Sequence, residues 1–223
     1  MTHQTPEGAM TAEQIDINIP IHGDMLHWGR RPTYEIVESR ANGDASDVSR
    51  WLIGAHTGTH IDAPSHFIEG GASVDKIDLN STVGVARVLD LRQVVAEISA
   101  EDLENAGLGD AKRVLFKTRN STDALTRNVK SETWVGLGPD AAQLLVDRGV
   151  LFAGNDYMTI EAPAHVVEWP THHILCGAGV VILENANLAD VDSGDYQMVC
   201  LPVPFAGMEA APAPTVLFRL PAA

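Results

Sequence analysis

The amino-acid sequence predicts a single mixed α/β domain. Strand patterns outnumber helix patterns along the 223 residues, and two helical patterns lead directly into a strand. We find no internal repeat and no linker rich in Gly, Ser or Pro that would divide the chain. The polar segment 1–14 predicts a mobile N-terminal tail, so the domain is expected to cover residues 15–223.

The first half of the chain is predicted to form mainly strands. Residues 15–19 alternate isoleucine with polar residues, and this period of two is typical of a strand. Residues 34–38 predict a second strand, residues 41–49 a polar loop, and residues 85–91 a buried strand. Ser99 is expected to begin a helix because acidic residues follow it in the first turn.

The second half adds the helix-to-strand units that indicate the α/β class. Gly138 and Pro139 predict a helix that continues to Arg148 and stops at Gly149. Residues 172–176 predict a shorter helix. Further strands are predicted at 113–118, at 150–154, at 180–183 with Glu184 at its end, and at 215–220.

The composition excludes several classes of partner. The formal net charge of -15, from 15 Lys and Arg against 30 Asp and Glu, repels nucleic-acid phosphates and anionic lipids, so we expect neither as a partner. No stretch approaches the roughly 18 apolar residues of a membrane span, and the first residues lack a signal-peptide pattern, so we expect a cytoplasmic protein. Cys176 and Cys200 are predicted to be small core residues in a reducing compartment.

One short segment concentrates residues that bind metals. Three histidines and one aspartate fall within eleven positions, all at even numbers: His56, His60, Asp62 and His66. In an extended chain these four side chains point the same way. A helix would also pair His56 with His60, but Gly58 and its β-branched neighbours disfavour it. A straight strand would separate these two histidines by roughly 13 Å, so the chain must bend, and Gly58 is where a bend costs least.

Imidazole and carboxylate groups together favour zinc, manganese or iron over calcium. A closed structural zinc site often uses thiolates, and the two cysteines lie far from this segment. Glu184, at the end of an apolar strand, would be costly to bury without a cation or water, and His172 lies twelve residues earlier. These two are additional candidate ligands, with ordinary surface positions as the alternative.

The segment 56–67, His-Thr-Gly-Thr-His-Ile-Asp-Ala-Pro-Ser-His-Phe, resembles the signature of the metal-dependent cyclase family, which includes bacterial kynurenine formamidases and isatin hydrolases. The resemblance extends over nearly the whole chain, through residues 16–28, 113–118, 149–156 and 172–188. It implies a swivelling β/β/α fold and a homodimer or homotetramer. It also implies one or two divalent ions per chain, for which zinc or manganese is expected.

The resemblance also implies the roles of individual residues. Metal ligands would be His56, His60, Asp62, His172 and Glu184, with the two carboxylates bridging two ions. The choice of His172 over the adjacent His173 rests only on its spacing of twelve residues from Glu184. His66 would be the catalytic acid and base. Trp28 and Phe67 are candidate walls for a flat aromatic substrate, although Phe67 is equally compatible with core packing.

The function that follows is a metal-dependent amidohydrolase that acts on a small molecule, an aryl formamide or a cyclic amide such as isatin. The alternatives are a hydrolase of lactones or other small cyclic substrates, and a metal-binding protein without turnover. His66 argues against the last, because a binding module needs no histidine beyond the ligands. The sequence also departs from kynurenine formamidases after Trp28, where Gly29 to Pro32 replace Pro-Gly-Asp, and at 210–214, where the usual arginine is absent. Both departures lie where substrate would be chosen, so they leave its identity open.

Overall fold

A mixed sheet of nine strands forms the centre of the computed structural model, which describes residues 13–29, 31–122 and 132–220. The order across the sheet is β1-β13-β11-β5-β7-β9-β10-β4-β12. These strands are β1 (Gln14–Asp16), β4 (His60–Asp62), β5 (Val83–Asp90), β7 (Arg113–Lys117), β9 (Phe152–Asn155), β10 (Val181–Glu184), β11 (Gly194–Cys200), β12 (Ala210–Pro212) and β13 (Thr215–Arg219).

The middle of the sheet is parallel and the two sides are antiparallel. Strands β5, β7, β9 and β10 run parallel to one another, and β4 pairs antiparallel with both β10 and β12. Every residue of β9 and β10 is buried, in keeping with the apolar runs that parallel strands need when both faces are covered. The sheet therefore places the carboxyl end of β10 beside β4, which carries His60 and Asp62.

Four helices are described: α1 (Leu79–Thr82), α2 (Ala100–Asn105), α3 (Pro139–Asp147) and α4 (Pro170–Gly177). Ser99 closes a capping box with Asp102, as its position before two acids predicts. Pro139 occupies the first turn of α3, where its missing N–H is not needed. The buried faces of α2, α3 and α4 pack with the sheet in one apolar cluster, and a second cluster forms on the other side.

Two small sheets complete the fold: β2 (Thr33–Glu38) with β3 (Val48–Leu52), and β6 (Glu97–Ile98) with β8 (Gly136–Leu137). Every residue of β2 and β3 is exposed. Within the described residues, no helix is long and apolar enough to cross a membrane.

The predicted mixed α/β class is confirmed. The strands predicted at 34–38, 85–91, 113–118, 150–154, 180–183 and 215–220 and the helices predicted at 139–148 and 172–176 are present, with ends that differ by at most two residues. Cys176 and Cys200 are free and buried, as predicted. Of the predicted tail 1–14, residues 1–12 lie outside the described residues, and Gln14 already pairs with Phe218 in the sheet.

Two further predictions of element bounds were wrong. The first strand ends at Asp16 rather than at residue 19, because the Asn18 side chain takes over the pairing with the backbone of Thr215. The predicted loop 41–49 overlaps β3 at Val48 and Ser49. Strand β3 lies in an exposed hairpin and buries no face, so its sequence lacks the alternation that marks a half-buried strand.

Candidate metal centre

The histidine-rich segment turns sharply before it enters the sheet. Gly58 has φ +69°, which confirms the bend expected there, and a Cβ at this position would lie 3.0 Å from Ile21 Cγ1. Only His60 and Asp62 share a strand, β4. His56 precedes the bend, and His66 ends a short 3-10 turn that begins at Pro64.

Strand pairing brings the remaining two candidate ligands to the same place. The antiparallel register of β10 and β4 sets Glu184 directly opposite His60. His172 projects from the first turn of α4, with its Nε2 3.4 Å from Glu184 Oε1. The structure thus gathers residues that lie more than a hundred positions apart in the sequence.

The two carboxylates divide the centre into two halves. Asp62 Oδ1 and Glu184 Oε2 lie 3.6 Å and 3.5 Å from His60 Nε2. Asp62 Oδ2 and Glu184 Oε1 lie 3.9 Å and 3.4 Å from His172 Nε2. His56 Nδ1 lies 2.8 Å from Asp62 Oδ1. We name these the His60 half and the His172 half.

The donor atoms of this centre are better placed to bind a cation than to form hydrogen bonds with one another. His60 Nε2 and both Asp62 oxygens are buried without a hydrogen bond of acceptable geometry. Such orphaned buried atoms normally carry a cost of about 1–3 kcal/mol each, more for charged groups. Separations of 3.4–3.9 Å are long for hydrogen bonds, but two ligands at about 2.1 Å from one zinc ion lie roughly 3.4 Å apart. Among the described residues, two groups of three side chains bring their donor atoms close enough together to hold a metal ion. They are His60, Asp62 and Glu184, and His56, Asp62 and His66.

Hydrogen bonds on the far side of two rings fix which nitrogen faces the carboxylates. His60 Nδ1 lies 2.9 Å from Gly58 O, and His172 Nδ1 lies 2.8 Å from Glu161 Oε2. Since both of these partners are acceptors, each Nδ1 carries a proton, and the neutral form of each ring presents its lone pair at Nε2. A neutral imidazole with a free nitrogen is the form that binds a metal.

The charges of the centre perturb one another strongly. Burial opposes ionisation of Asp62, but the close approach and charge of His56 at 2.8 Å and the charges of the other histidines hold the pKa of Asp62 well below its usual range. Burial lowers the pKa of His56, but Asp62 outweighs it and raises that pKa to about 9. In the same way, Glu161 and Glu184 outweigh burial and raise the pKa of His172 to about 9. A centre of this kind favours positive charge between its carboxylates.

His66 differs from the other histidines in its surroundings. Burial lowers its pKa, and its Nε2 lies 3.9 Å from Asp62 Oδ2, too far for a hydrogen bond. Its side chain is 28% exposed, whereas that of His60 is fully buried. His66 therefore meets the cavity as a neutral imidazole near pH 7.

A cavity of about 370 Å³ opens over the centre. Its walls include the rings of Trp28, Phe67 and Trp169 and the side chain of Met158. The Trp28 indole donates to Met158 O at 3.0 Å, so the ring is held at the rim. Phe67 satisfies both earlier alternatives, because it packs against the apolar core and its ring also borders the cavity.

Sequence reasoning missed three residues that contact or border the centre. Glu161 bonds His172, Glu209 Oε1 lies 3.5 Å from His56 Nε2, and Trp169 lines the cavity with a left-handed backbone at φ 54°. A signal existed only for Glu161, whose carboxylate sits in an otherwise apolar stretch. Within the segment 29–32 that replaces Pro-Gly-Asp, Arg30 lies outside the described residues, and Arg31 pairs with exposed Asp24 at 3.2 Å.

Comparison with known proteins relates this chain to one family. Residues 15–162 match the family model described as "Putative cyclase". The chain is 33% identical over 209 residues to a kynurenine formamidase of Bacillus mycoides, a match that covers 93% of this chain and 98% of the relative. It superposes with TM-score 0.80 and 34% identity on a solved "predicted metal-dependent hydrolase" of Bacillus stearothermophilus, covering 92% of this chain and 98% of the other. Isatin hydrolase A of Labrenzia aggregata, with TM-score 0.80 and 24% identity over 93% of each chain, shares the fold.

Proposed function

The chain belongs to the cyclase family, and from this premise we propose that it is a metal-dependent hydrolase of a C–N bond in an aryl formamide or a cyclic amide. One observation carries the proposal. Asp62 and Glu184 each direct one oxygen to the His60 half and the other oxygen to the His172 half. Two carboxylates placed in this way suit a bridging role between two divalent ions.

We propose His56, His60, Asp62, His172 and Glu184 as the metal ligands. The orphaned atoms of His60 and Asp62 support this set, as does His172 Nε2, which faces both carboxylates. Zinc and manganese both suit imidazole and carboxylate ligands, and one or two ions per chain would fill the centre. A divalent ion bound there would polarise the carbonyl of the substrate and would lower the pKa of water toward neutrality.

His66 is the residue we propose for proton transfer. Its Nε2 makes no hydrogen bond to Asp62, so the nitrogen is available to the cavity. A neutral imidazole accepts the proton of an attacking water and then donates it to the leaving nitrogen of the amide. The lowered pKa of His66 keeps this base unprotonated near pH 7.

The shape of the cavity supports a flat aromatic substrate. Trp28, Phe67 and Trp169 present three rings around one opening, and planar rings stack on such surfaces. Apolar walls with a few polar groups at the floor are typical of small-molecule sites. Aryl formamides and isatin-like cyclic amides combine a planar ring with a carbonyl that can face the carboxylate floor. Two of the similar proteins, a kynurenine formamidase and an isatin hydrolase, are named for substrates of these two types.

We also propose that the protein is a cytoplasmic homodimer or homotetramer. The exposed hairpin β2–β3 supports self-association, because a two-stranded hairpin is marginally stable in water unless something covers it. Six large apolar side chains lie exposed on it: Tyr34, Ile36, Val37, Val48, Trp51 and Leu52.

The test is a substrate panel assayed with purified protein. The panel contains N-formylkynurenine, a simple aryl formamide, isatin and an aromatic lactone. We expect hydrolysis of at least one amide, loss of that activity with a chelator, and recovery with zinc or manganese. Activity on the lactone alone would show that the substrate is a cyclic ester rather than an amide. Turnover that survives chelation, or no turnover on any member, would contradict the proposal.

A further inference from the structure

Glu161 is a fully buried carboxylate beside the metal centre that the reaction above does not use. Its Oε2 accepts hydrogen bonds from His172 Nδ1 at 2.8 Å and from the His172 backbone N–H at 3.2 Å. Its Oε1 accepts from the Thr171 backbone N–H at 3.1 Å. Every one of these donors belongs to the first turn of α4.

Part of this arrangement serves the helix. Trp169, at the N-cap of α4, provides no side-chain cap, so Glu161 satisfies two of the N–H groups that a helix start leaves free. A cap, however, needs only the backbone donors. The shortest of the three bonds goes to the imidazole, and it leaves His172 Nε2 facing Glu184 and Asp62.

The other half of the centre is supported differently. His60 Nδ1 bonds the neutral carbonyl of Gly58, which also accepts from Asn185 Nδ2 at 3.1 Å. A carbonyl shared between two donors withdraws less positive charge from the ring than a carboxylate does. Carboxylate partners raise the basicity of a metal-binding histidine, and their loss typically costs about 10–100-fold in metal affinity. The two halves are therefore unequal.

We propose that Glu161 is a positioning residue that fixes His172 with Nε2 toward Asp62 and Glu184, and that it raises the affinity of the His172 half for a metal ion. This inference rests on the proposed function. It concerns the metal affinity of one of the two positions, and it does not depend on the identity of the substrate.

The first measurement is stepwise binding of Zn²⁺ to the metal-free full chain, followed by competition with a chromophoric chelator. In Glu161→Gln, we expect the affinity of one Zn²⁺-binding step to fall by about 10–100-fold, with any other step unchanged. The amide retains the size of the carboxylate but removes its charge and places an N–H₂ against one of the donors.

Two matched variants serve as controls. Glu97→Gln removes the charge from a carboxylate that bonds His165 Nε2 at 3.0 Å, outside the centre. Thr171→Val removes a side-chain bond to Leu137 O in the same turn of α4 and keeps the backbone donor to Glu161.

The second measurement reads the position of the proton directly and needs no folded variant of Glu161. Long-range ¹⁵N–¹H correlation spectra of the Zn²⁺-loaded chain report which nitrogen of each singly protonated imidazole carries the proton, and the His172 signals are those absent in His172→Gln. We expect the proton of His172 on Nδ1 in the wild type and in Glu97→Gln. A proton on Nε2 in the wild type would overturn the inference.

The outcomes separate this inference from the proposed function. Wild-type protein that binds no Zn²⁺ would contradict both. If the wild type binds Zn²⁺ and every binding step of Glu161→Gln has the wild-type affinity, only the role of Glu161 is overturned. Equal weakening of every step in Glu161→Gln and Thr171→Val would show that Glu161 acts only as a helix cap, and would also overturn it.

Discussion

Removing the metal should make the stability of this protein depend on pH in a specific direction. Without an ion, the pKa values of His56 and His172 are raised to about 9, because the carboxylates around them outweigh the effect of burial. A histidine whose pKa is raised in the folded state stabilises the fold at pH values below its unfolded-state pKa of about 6.5. This contribution to stability is lost as the pH rises through 9. The metal-loaded protein does not lose stability in this way, because metal-bound imidazoles are already neutral.

The magnitude follows from the same values. A shift of about 2.5 pKa units corresponds to about 3 kcal/mol for one histidine. Both rings interact with the single carboxylate of Asp62, and His56 is about a quarter exposed, so we take about 3 kcal/mol for the pair rather than twice that. For a chain of this size, 1 kcal/mol changes Tm by about 2–4 °C. The gap in Tm between metal-loaded and metal-free protein should therefore widen by about 6–12 °C between pH 6.5 and pH 9.

The assay is thermal unfolding by calorimetry at pH 6.5 and pH 9, with saturating Zn²⁺ or with a chelator. Comparing the two forms at each pH cancels the titration of groups elsewhere in the chain, including the buried thiols. Asp62→Asn is the matched variant, since the charge that raises the pKa of His56 is gone. A gap that stays constant with pH, or that narrows toward pH 9, would refute the reasoning.

Three substitutions test other parts of the account. His66→Ala should retain its metal and fold and lose about 10²–10⁴-fold in kcat, the usual contribution of acid–base catalysis; joint loss of metal and activity would make His66 a ligand. Trp28→Ala should raise KM for aryl amides several-fold, since stacking contributes about 0.5–1.5 kcal/mol, and should change KM little for a small aliphatic amide. Equal effects on both substrates would contradict a stacking role. Asp156→Asn should lower the free energy of unfolding by about 2–3 kcal/mol, because this buried carboxylate accepts bonds from the N–H and O–H groups of Thr118 and Ser121. Denaturant titration measures it, with exposed Asp147→Asn as a control expected within about 0.5 kcal/mol of the wild type.

The part of the centre that could be predicted from sequence is the part whose residues are neighbours in the chain. His56, His60, Asp62 and His66 fall within eleven positions, and a composition so unusual needs no tertiary information to be noticed. Gly58 could be chosen as the bend for a local reason, its tolerance of positive φ.

The rest of the centre depends on contacts that no local pattern encodes. Glu184 meets His60 through the register of two antiparallel strands, and the register is set by packing over the whole sheet. Before the family resemblance was considered, the sequence left Glu184 and His172 open to surface positions. Glu161 was missed because it reaches His172 across the start of α4, from a stretch with neither helical nor strand periodicity.

The fold shows the same division between local and tertiary information. The helix α3 was predicted closely, because Pro139 at its start and Gly149 after its end are local signals. The strand β3 was missed in part, since an exposed hairpin imposes no hydrophobic alternation on its residues. Patterns of burial predict the elements that pack against a core and miss those that do not.

The central claim is that Asp62 and its neighbouring histidines hold a catalytic metal. The most direct measurement is the metal content of purified wild-type protein and of Asp62→Ala, by mass spectrometry, alongside hydrolysis of the best substrate from the panel. Asp147→Ala, which removes an exposed carboxylate on α3, is the control. We predict one to two equivalents of zinc or manganese in the wild type and in the control, and loss of both metal and activity in Asp62→Ala. Full metal content in Asp62→Ala, or a wild-type enzyme active without metal, would contradict the account.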